Sequence, residues 1–400
     1  MTEQTGALEA GRVRALIAAI AAVTVFGLSV GLAVPLLSLL LDARGTDPVL
    51  TGLNAGATFV GVIAGPLLAS SALRRLDVRH YLILCLALDI VGFLALRLFQ
   101  SYGAWLVLRA SLGLVGSGIF TASEAWINRL AGDATRGRVI GTYAAALGAG
   151  FGLGPLILWA TGIEGWAPFL ANAAIGLAAM APLLLAGPVG TAFGGARRAH
   201  PLVMFKHARF LLLLVVLFGL YETSVMALLP VWGVRIGLSP RQAAAIISAI
   251  YLGGVFLQLP LGWLSDRAGR FAALAVCGAV GMVGALLLPV LAADPAALFA
   301  LLLVWGGLAG GIYPVALGMA GDRFQDGELL SVNAAIIMAY GIGSFAGPFL
   351  AGAAMDAWAP NGLPRFLALL FAALLTAALW RRVATRGRPS SGREAGRAPR

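Results

Sequence analysis

Long apolar runs separated by short polar or charged segments make up most of this chain. A run of about 20 apolar residues is enough to cross a bilayer as a helix. Reading the runs between charged residues or Pro/Gly breaks gives twelve of them, near 14–41, 50–72, 80–100, 104–131, 137–161, 166–187, 209–236, 243–264, 271–293, 296–321, 329–355 and 363–381. They predict an all-α membrane protein with twelve transmembrane helices. The first run is too long for a signal-peptide core, so we interpret it as a retained helix.

The composition supports a membrane protein and leaves little room for a soluble domain. Hydrophobic residues make up 60% of the 400 residues and charged residues only 11%, whereas soluble domains are about one quarter charged. Cys85 and Cys277 both fall within spans, which excludes a disulfide framework. The three histidines are too scattered for a metal site, and the sequence predicts no cofactor.

The distribution of basic residues predicts the orientation. Outer loops would hold only four of the 28 Lys and Arg residues if both termini are cytoplasmic, namely Arg44, Arg235, Arg241 and Arg365. Lys and Arg are retained on the cytoplasmic side, so we expect a multi-pass protein of the inner (cell) membrane with both termini cytoplasmic. The excess of Lys and Arg on the cytoplasmic side then accounts for the net charge of +11, and no nucleic-acid partner is expected. The seven arginines from Arg381 to Arg400 predict a disordered tail near anionic lipid.

Similar segments recur at a nearly constant distance along the chain. "GIFTA" at 118 recurs as "GIYPV" at 311, and "GP" at 154 recurs at 347, both a step of 193 residues; Cys85 and Cys277 are 192 apart. We infer an internal duplication with six spans per copy in the same orientation. The expected units are a six-helix bundle at 1–186, a cytoplasmic linker at 187–208, a second bundle at 209–382 and a basic tail at 383–400.

Three motifs carry a family resemblance. The turn "GWLSDRAGRF" between spans 8 and 9 contributes Gly262, Asp266, Arg267, Gly269 and Arg270. Span 4 contains "RASLGLVGSG", with Arg109, Gly113 and Gly116, and span 5 has the spacing G-x8-G-x3-GP in Gly141, Gly150, Gly154 and Pro155. The chain resembles the major facilitator superfamily (MFS), and the span 5 spacing resembles its drug/proton antiporter branch. The resemblance implies two six-helix halves related by a pseudo-two-fold axis, alternating access, and a monomer.

Two departures from these motifs lie in the first half. The first-half turn "GPLLASSALRRLDVRHY" has Arg74 where the acid would fall, and span 5 continues as "GPLILW" without a second glycine pair. "GPFLAG" in span 11 comes closer. Small residues let helices approach closely in lipid, and a Gly-Pro step permits bending. Both roles stay open for Gly150, Gly154, Pro155, Gly347 and Pro348.

Ionisable residues inside spans are costly, so each is a candidate for function. Glu222 lies at the middle of span 7 beside Tyr221. The resemblance implies that spans 1, 4, 7 and 10 line a central cavity, which would place this carboxylate where it can exchange a proton or bind substrate. The alternative is a carboxylate fixed in a hydrogen-bond network that packs helices.

Span 4 carries further candidates. Glu124 and Asn128 lie one turn apart on one face and predict either a polar strip towards the cytoplasm or an anchor for the helix end. The resemblance assigns Arg109 to proton transfer, and the alternative is snorkelling to the outer interface. For Asp89 in span 3 we expect a structural pairing with Arg97 or Arg109.

The charged turns predict two latches that hold the inner mouth closed when the protein is open to the outside. Asp266 would face Arg136, Arg138 and the positive N-terminal end of span 5. On the other side of the pseudo-two-fold axis the polarity is inverted, with Arg74 or Arg75 pairing to Asp326 or Glu328.

These features predict a secondary active transporter rather than an enzyme. No phosphate-binding loop of the G-x4-GK[ST] type occurs, and no loop brings together a nucleophile, a base and an orienting group. We expect proton-coupled efflux of a small organic molecule, with protons and that substrate as partners. The alternatives are uptake or facilitated diffusion by the same fold, and a non-transporting membrane sensor.

Overall fold

The computed structural model describes residues 2–130, 136–186, 201–324 and 326–386. Every regular element within these ranges is a helix. In chain order the helices are α1 (Thr2–Ala43), α2 (Pro48–Ala72), α3 (Val78–Leu98), α4 (Tyr102–Leu130), α5 (Arg136–Thr161), α6 (Ala167–Leu185), α7 (Pro201–His207), α8 (Arg209–Arg235), α9 (Pro240–Ala268), α10 (Arg270–Leu287), α11 (Pro295–Ala309), α12 (Ile312–Arg323), α13 (Asp326–Ala357) and α14 (Gly362–Arg386).

The helices confirm the predicted membrane architecture. Within the residues that the structure describes, twelve segments are long and apolar enough to cross a bilayer, and they correspond to the twelve apolar runs of the sequence. Span 10 consists of α11 and α12 in succession, and the short α7 precedes span 7, which is α8. The predicted tail is partly wrong, because α14 continues to Arg386 and includes Arg381 and Arg382. Residues 387–400 lie outside the described part of the chain.

The same helix pairs recur in the first and second six spans. In the first half α1 packs along α5, α2 along α4 and α3 along α6. In the second half α8 packs along α13, α9 along α11 and α10 along α14. Counted within each half, both sets join the first span to the fifth, the second to the fourth and the third to the sixth. The two bundles therefore have the same internal arrangement.

Glycines provide the close approach within these pairs. A Cβ on Gly150 would meet the main chain of Thr24 and Leu28 in α1, and one on Gly154 would meet that of Gly31. A Cβ on Gly347 would meet the main chain of Leu220 in α8. Gly150, Gly154 and Gly347 therefore serve helix packing, whereas Gly141 of the span 5 motif has open space around it. Pro155 and Pro348 lie inside their helices, and a bending role there stays a prediction.

The two halves touch at one end of the bundle and are apart at the other. We call the end at which α1 begins and α14 ends the inner end. At the outer end, Gly52 and Gly56 of α2 lie against the main chain of Pro348 and Phe345 in α13. A cross-half ion pair there joins Asp42 Oδ1 to an Arg235 guanidinium nitrogen at 2.9 Å. A cavity between the halves is lined by the inner-end parts of α5 and α9, and we call this arrangement, open at the inner end as defined above, inward-open.

Candidate functional site

The central cavity has a volume of about 680 Å³, within the range of sites that bind small organic molecules. On one side it is lined by the inner half of α5, where small residues leave space. The other side belongs to the second half and is larger and more aromatic. Lining residues are Gly141, Ala144, Ala145, Gly148 and Ala149 of α5, Phe218, Tyr221, Glu222, Val225 and Met226 of α8, Ile247, Ile250, Tyr251, Gly254, Val255, Gln258 and Leu259 of α9, and Gly306 and Gly310 at α11.

Glu222 is the one charged side chain among the described residues that line this cavity. Tyr340 Oη donates to Glu222 Oε2 at 2.8 Å, and Tyr251 Oη donates to Glu222 Oε1 at 3.3 Å. These two hydroxyl groups replace part of the hydration that a carboxylate loses away from bulk water. The structure places Glu222 on the cavity wall, near the middle of α8.

Both hydroxyl donors also touch the first half of the molecule. The ring of Tyr251 stacks on Phe151 of α5 with centroids 5.7 Å apart, and that of Tyr340 meets Phe59 of α2 edge-on at 5.8 Å. Each of the two tyrosines that donate to Glu222 therefore also forms an aromatic contact between the halves.

The other predicted cavity residues lie in different surroundings. Tyr221 borders the cavity but is only 2% exposed, because its ring packs edge-on against Trp305 and Phe371. Glu124 and Asn128 are exposed and are not among the lining residues. The Asn128 amide donates to the Glu124 main-chain carbonyl at 3.0 Å, one turn away on the same helix. The polar strip and the anchor for the helix end both stay predictions.

Arg109 lies away from the cavity. Its side chain is 2% exposed, and its guanidinium donates to the main-chain carbonyls of Asn54 and Ala55 in α2, at 3.3 and 3.4 Å. Snorkelling to the outer interface is therefore wrong for this residue. The cation holds α4 to α2 instead, and its assignment to proton transfer stays a prediction.

The expected partner of Asp89 is also wrong. Asp89 Oδ2 accepts from Ser29 Oγ at 2.9 Å and from Asn172 Nδ2 at 3.4 Å. Arg97 instead donates to the Gly165 carbonyl at 3.2 Å. The face of α3 that carries Asp89 meets α1 and α6, so neutral polar groups of those helices reach the carboxylate. Its structural role, the other part of that prediction, fits these contacts.

The residues of the charged turn pair within the second half. Arg270 donates to Asp322 at 3.0 Å and to Asp266 at 3.2 Å. Arg267 lies over the Trp263 ring at 4.4 Å. Gly269 has φ of +89° where α9 ends and α10 begins, a conformation that favours glycine, and Gly262 has open space around it.

Among the side chains that the structure describes, no ion pair joins Arg74 or Arg75 to Glu328, or Arg138 to Asp266. Arg74 donates to Ser71 Oγ at 3.0 Å, and Arg75, Arg138 and Glu328 are exposed. The side chains of Arg136 and Asp326 lie outside the described residues. Because both latches are predicted for the outward-open state, they stay predictions.

Tyr251 and Tyr340 are the site residues that the sequence reasoning missed. Each is a single hydroxyl-bearing residue in an apolar run, and nothing local relates it to Glu222. A usable signal was present, since a buried tyrosine hydroxyl generally requires a hydrogen-bond partner. Glu222 is the carboxylate at the corresponding depth.

Comparisons with known proteins identify the family. The model of the Major Facilitator Superfamily matches residues 19–306 and 211–400. The chain belongs to this superfamily. An MFS-type transporter of Bacillus subtilis (strain 168) is 24% identical over 357 residues, covering 87% of this chain and 90% of the relative. An MFS-type transporter of Enterobacter sp. (strain 638) is 27% identical over 315 residues, covering 78% and 81%.

Solved structures show the same fold. The nucleoside transporter NupG superposes with a TM-score of 0.75 at 12% identity, covering 94% of this chain and 100% of that one. A bacterial homologue of the human lysosomal transporter Spinster, inward-facing and unoccupied, gives 0.76 at 13% identity, covering 94% and 97%. A D-xylose-proton symporter gives 0.72 at 16% identity, covering 92% and 96%. The chain is therefore an integral membrane transporter of the MFS type, a non-enzyme class, with a small-molecule substrate.

Proposed function

We propose that this MFS transporter is a proton-coupled exporter of a small organic molecule, with both termini in the cytoplasm. The observation that carries the proposal is the carboxylate of Glu222 on the cavity wall. A carboxylate reached from the cavity is a group that can take up and release a proton. The export direction is supported by the resemblance of the α5 glycine-proline spacing to the antiporter branch.

Coupling follows from the contacts of Glu222. When the carboxylate is charged, it accepts strong hydrogen bonds from Tyr251 and Tyr340. Protonation removes that charge and weakens both bonds. Since the two tyrosine rings pack on Phe151 and Phe59 of the other half, the change acts directly on cross-half contacts. Proton binding then biases the equilibrium between inward-open and outward-open arrangements.

Glu222→Gln tests this assignment. A thermal-shift screen of the purified protein first selects a compound, and its transport is then measured in everted vesicles with an imposed pH gradient. We expect accumulation driven by the gradient to be lost in Glu222→Gln, while exchange of labelled for unlabelled compound is partly retained, because exchange needs no net proton release.

Two matched variants sharpen the result. Glu164→Gln removes an exposed carboxylate at the outer end and should transport normally. Glu124→Gln removes the other candidate carboxylate. If this variant loses coupling while Glu222→Gln transports uphill normally, the coupled proton is carried by Glu124 of α4, and the assignment to Glu222 is refuted.

Uptake by proton symport is the second candidate. The same observation supports it, since a carboxylate on the cavity wall can serve uptake as well as export, and the chain shares its fold with a D-xylose-proton symporter at 16% identity. Everted and right-side-out vesicles distinguish the two directions, since an exporter accumulates compound in the former and an importer in the latter. A non-transporting sensor would show no saturable flux in proteoliposomes.

A further inference from the structure

A second cavity lies at the inner end of the second half, with a volume of about 390 Å³. It is formed where α7, α8, α10, α12 and α14 come together. The basic residues that line it are Lys206, His207, Arg209, Arg323 and Arg381. None of them lines the central cavity, so transport as described above does not account for this space.

Among the residues that the structure describes, five basic side chains and no acidic one line this cavity. They come from four helices that the fold brings together, which makes the cluster a product of tertiary structure rather than of one basic stretch. Lys206, Arg209 and Arg323 form no ion pair with any acid in the part of the chain that the structure describes. Asp322, the acid beside Arg323 in sequence, is held by Arg270 at 3.0 Å.

Aromatic rings form the apolar part of the cavity and position two of the cations. The Arg381 guanidinium lies 4.9 Å from the centroid of the Phe210 ring, and that of Arg323 lies 5.2 Å from the Phe324 centroid. Phe210 in turn packs on Phe271 at 5.7 Å. Such ring contacts attract guanidinium groups and help to place them at the wall of the cavity.

Exposed apolar side chains lie near the cavity on the outer surface of α7 and α14. Leu202 and Val203 of α7 are 72% and 50% exposed, and Trp380 and Val383 of α14 are 66% and 72% exposed. The cavity lies where α8 and α10 begin and α12 ends, which is the level of the lipid headgroups. Apolar surface for acyl chains therefore borders a basic pocket at headgroup depth.

The first half uses its basic residues differently at the equivalent place. Arg12 Nε donates to the Leu130 carbonyl at 2.7 Å, and a guanidinium nitrogen of Arg79 donates to the Leu184 carbonyl at 3.0 Å. These arginines satisfy the carbonyl ends of α4 and α6. The second half has cations around a cavity at this level.

We propose that this cavity binds the phosphate headgroup of an anionic phospholipid of the adjoining leaflet. Lys206, Arg209 and Arg323 supply charge to the phosphate, as basic pockets between transmembrane helices do for anionic headgroups. The acyl chains lie along the apolar surface of α7 and α14. A freely diffusing phosphate would make no use of that surface.

Binding of phosphatidylglycerol to the full-length protein in detergent tests the proposal, with phosphatidylcholine of the same acyl chains as the reference lipid. Native mass spectrometry counts the lipid molecules retained on the protein. We expect retention of phosphatidylglycerol over phosphatidylcholine, with an affinity about fivefold lower in Arg209→Gln, given the contribution of a single basic residue near a membrane surface. Lys206→Gln/Arg209→Gln should lower it further.

Arg14→Gln is the matched control, because Arg14 is an exposed arginine at the inner end that does not line the cavity. An equal loss of phosphatidylglycerol in Arg14→Gln and Arg209→Gln would overturn the proposal, as would equal retention of both lipids. Displacement of phosphatidylglycerol by millimolar inorganic phosphate would assign the site to free phosphate instead. Thermal unfolding verifies that the variants are folded, and Arg323→Gln replaces Arg209→Gln if the latter is not.

Discussion

At the outer end of the bundle the two halves meet through main-chain contacts, whereas at the inner end the charged turns pair within their own half. Gly52 of α2 has no room for a side chain, because the carbonyl of Pro348 in α13 occupies that space. At the inner end, Arg270 bridges Asp266 and Asp322, all from the second half. The outer contact depends on shape, and the inner one is expected to depend on charge.

This difference matters for how each end can open and close. Close packing acts over a few tenths of an ångström, so an added side chain is felt at full strength. Exposed charge pairs act over longer distances and contribute only about 0–1 kcal/mol each. Changes in volume should therefore disturb the outer end most, and changes in charge should shift the inner end by small amounts.

The largest effect is expected for Gly52→Leu. The added side chain would meet the main chain of α13, which cannot move aside as a flexible side chain can, so the outer end cannot close. We expect transport to fall at least roughly tenfold, the size of change that a barrier increase of about 1.4 kcal/mol produces. Labelling of an introduced Gly141→Cys in the central cavity should also fall, since the inward-open arrangement requires a closed outer end.

Gly103→Leu is the control for this substitution. Gly103 lies near the same end, at the start of α4, and a Cβ there would meet nothing within 4 Å. Equal loss of transport in both variants would show that added volume at this end acts through folding, and not through closure between the halves.

The fold could be predicted from the sequence because its determinants are local. Twelve apolar runs set the helices, and the step of 192 to 193 residues that relates Cys85 to Cys277 pointed to two copies. The seven-residue α7 escaped prediction, because it is too short for a periodic pattern and lies in a stretch interpreted as a linker.

The site could be predicted only in part. Glu222 was identified because a carboxylate in an apolar span is unusual whatever surrounds it. Its hydrogen-bond partners, Tyr251 and Tyr340, depend on which helices flank α8, and the local sequence pattern does not predict this packing. Asp89 fails for the same reason: Arg97 shares its face of α3 by spacing, but Ser29 and Asn172 reach it through the packing of α1 and α6.

Between the two ends, Tyr340→Phe tests the link from Glu222 to the contact between the halves. The variant keeps the ring that packs on Phe59 and removes the hydroxyl that donates to Glu222 at 2.8 Å. A hydrogen bond to a charged group contributes about 1.5–3 kcal/mol, so we expect gradient-driven accumulation to fall roughly tenfold.

Tyr313→Phe is the comparison for the tyrosine variant, because Tyr313 packs on the Tyr340 ring at 6.2 Å and its hydroxyl does not contact Glu222. Unchanged accumulation in Tyr340→Phe would show that the hydrogen bond from Tyr340 to Glu222 does not couple the proton site to the aromatic contacts between the halves. Other groups would then have to provide the coupling.

A smaller effect is expected at the outer ion pair. The side chains of Arg235 and Asp42 are 39% and 15% exposed, so the pair contributes about 0.2–1 kcal/mol. Asp42→Asn should shift the population towards outward-open by a factor of about 1.5 to 5. Reduced labelling of Gly141→Cys measures this shift.

The exchanged pair Asp42→Arg/Arg235→Asp should restore labelling to the original level. Arg365→Gln, which removes an exposed outer cation in another loop, should have no effect. Increased labelling in Asp42→Asn would mean that the pair holds the outward-open state, contrary to its place at the closed end.

The smallest shift is expected at the inner end, where Arg74→Glu tests the inverted latch. Arg74 is exposed and has only Ser71 as a described hydrogen-bond partner in the inward-open arrangement, so the substitution costs little there. In the outward-open arrangement it would replace an attraction to the acids at the start of α13 by repulsion. An exposed ion pair contributes about 0.2–1 kcal/mol, so labelling of Gly141→Cys should rise by a factor of about 2. Adding Glu328→Arg should return labelling to the original level, because Glu328 is an exposed acid of that helix.

Background labelling is low, since both native cysteines are buried. If neither Glu328→Arg nor Asp326→Arg rescues Arg74→Glu, the inverted latch is wrong, and the contribution of Arg74 is limited to orienting the chain in the membrane.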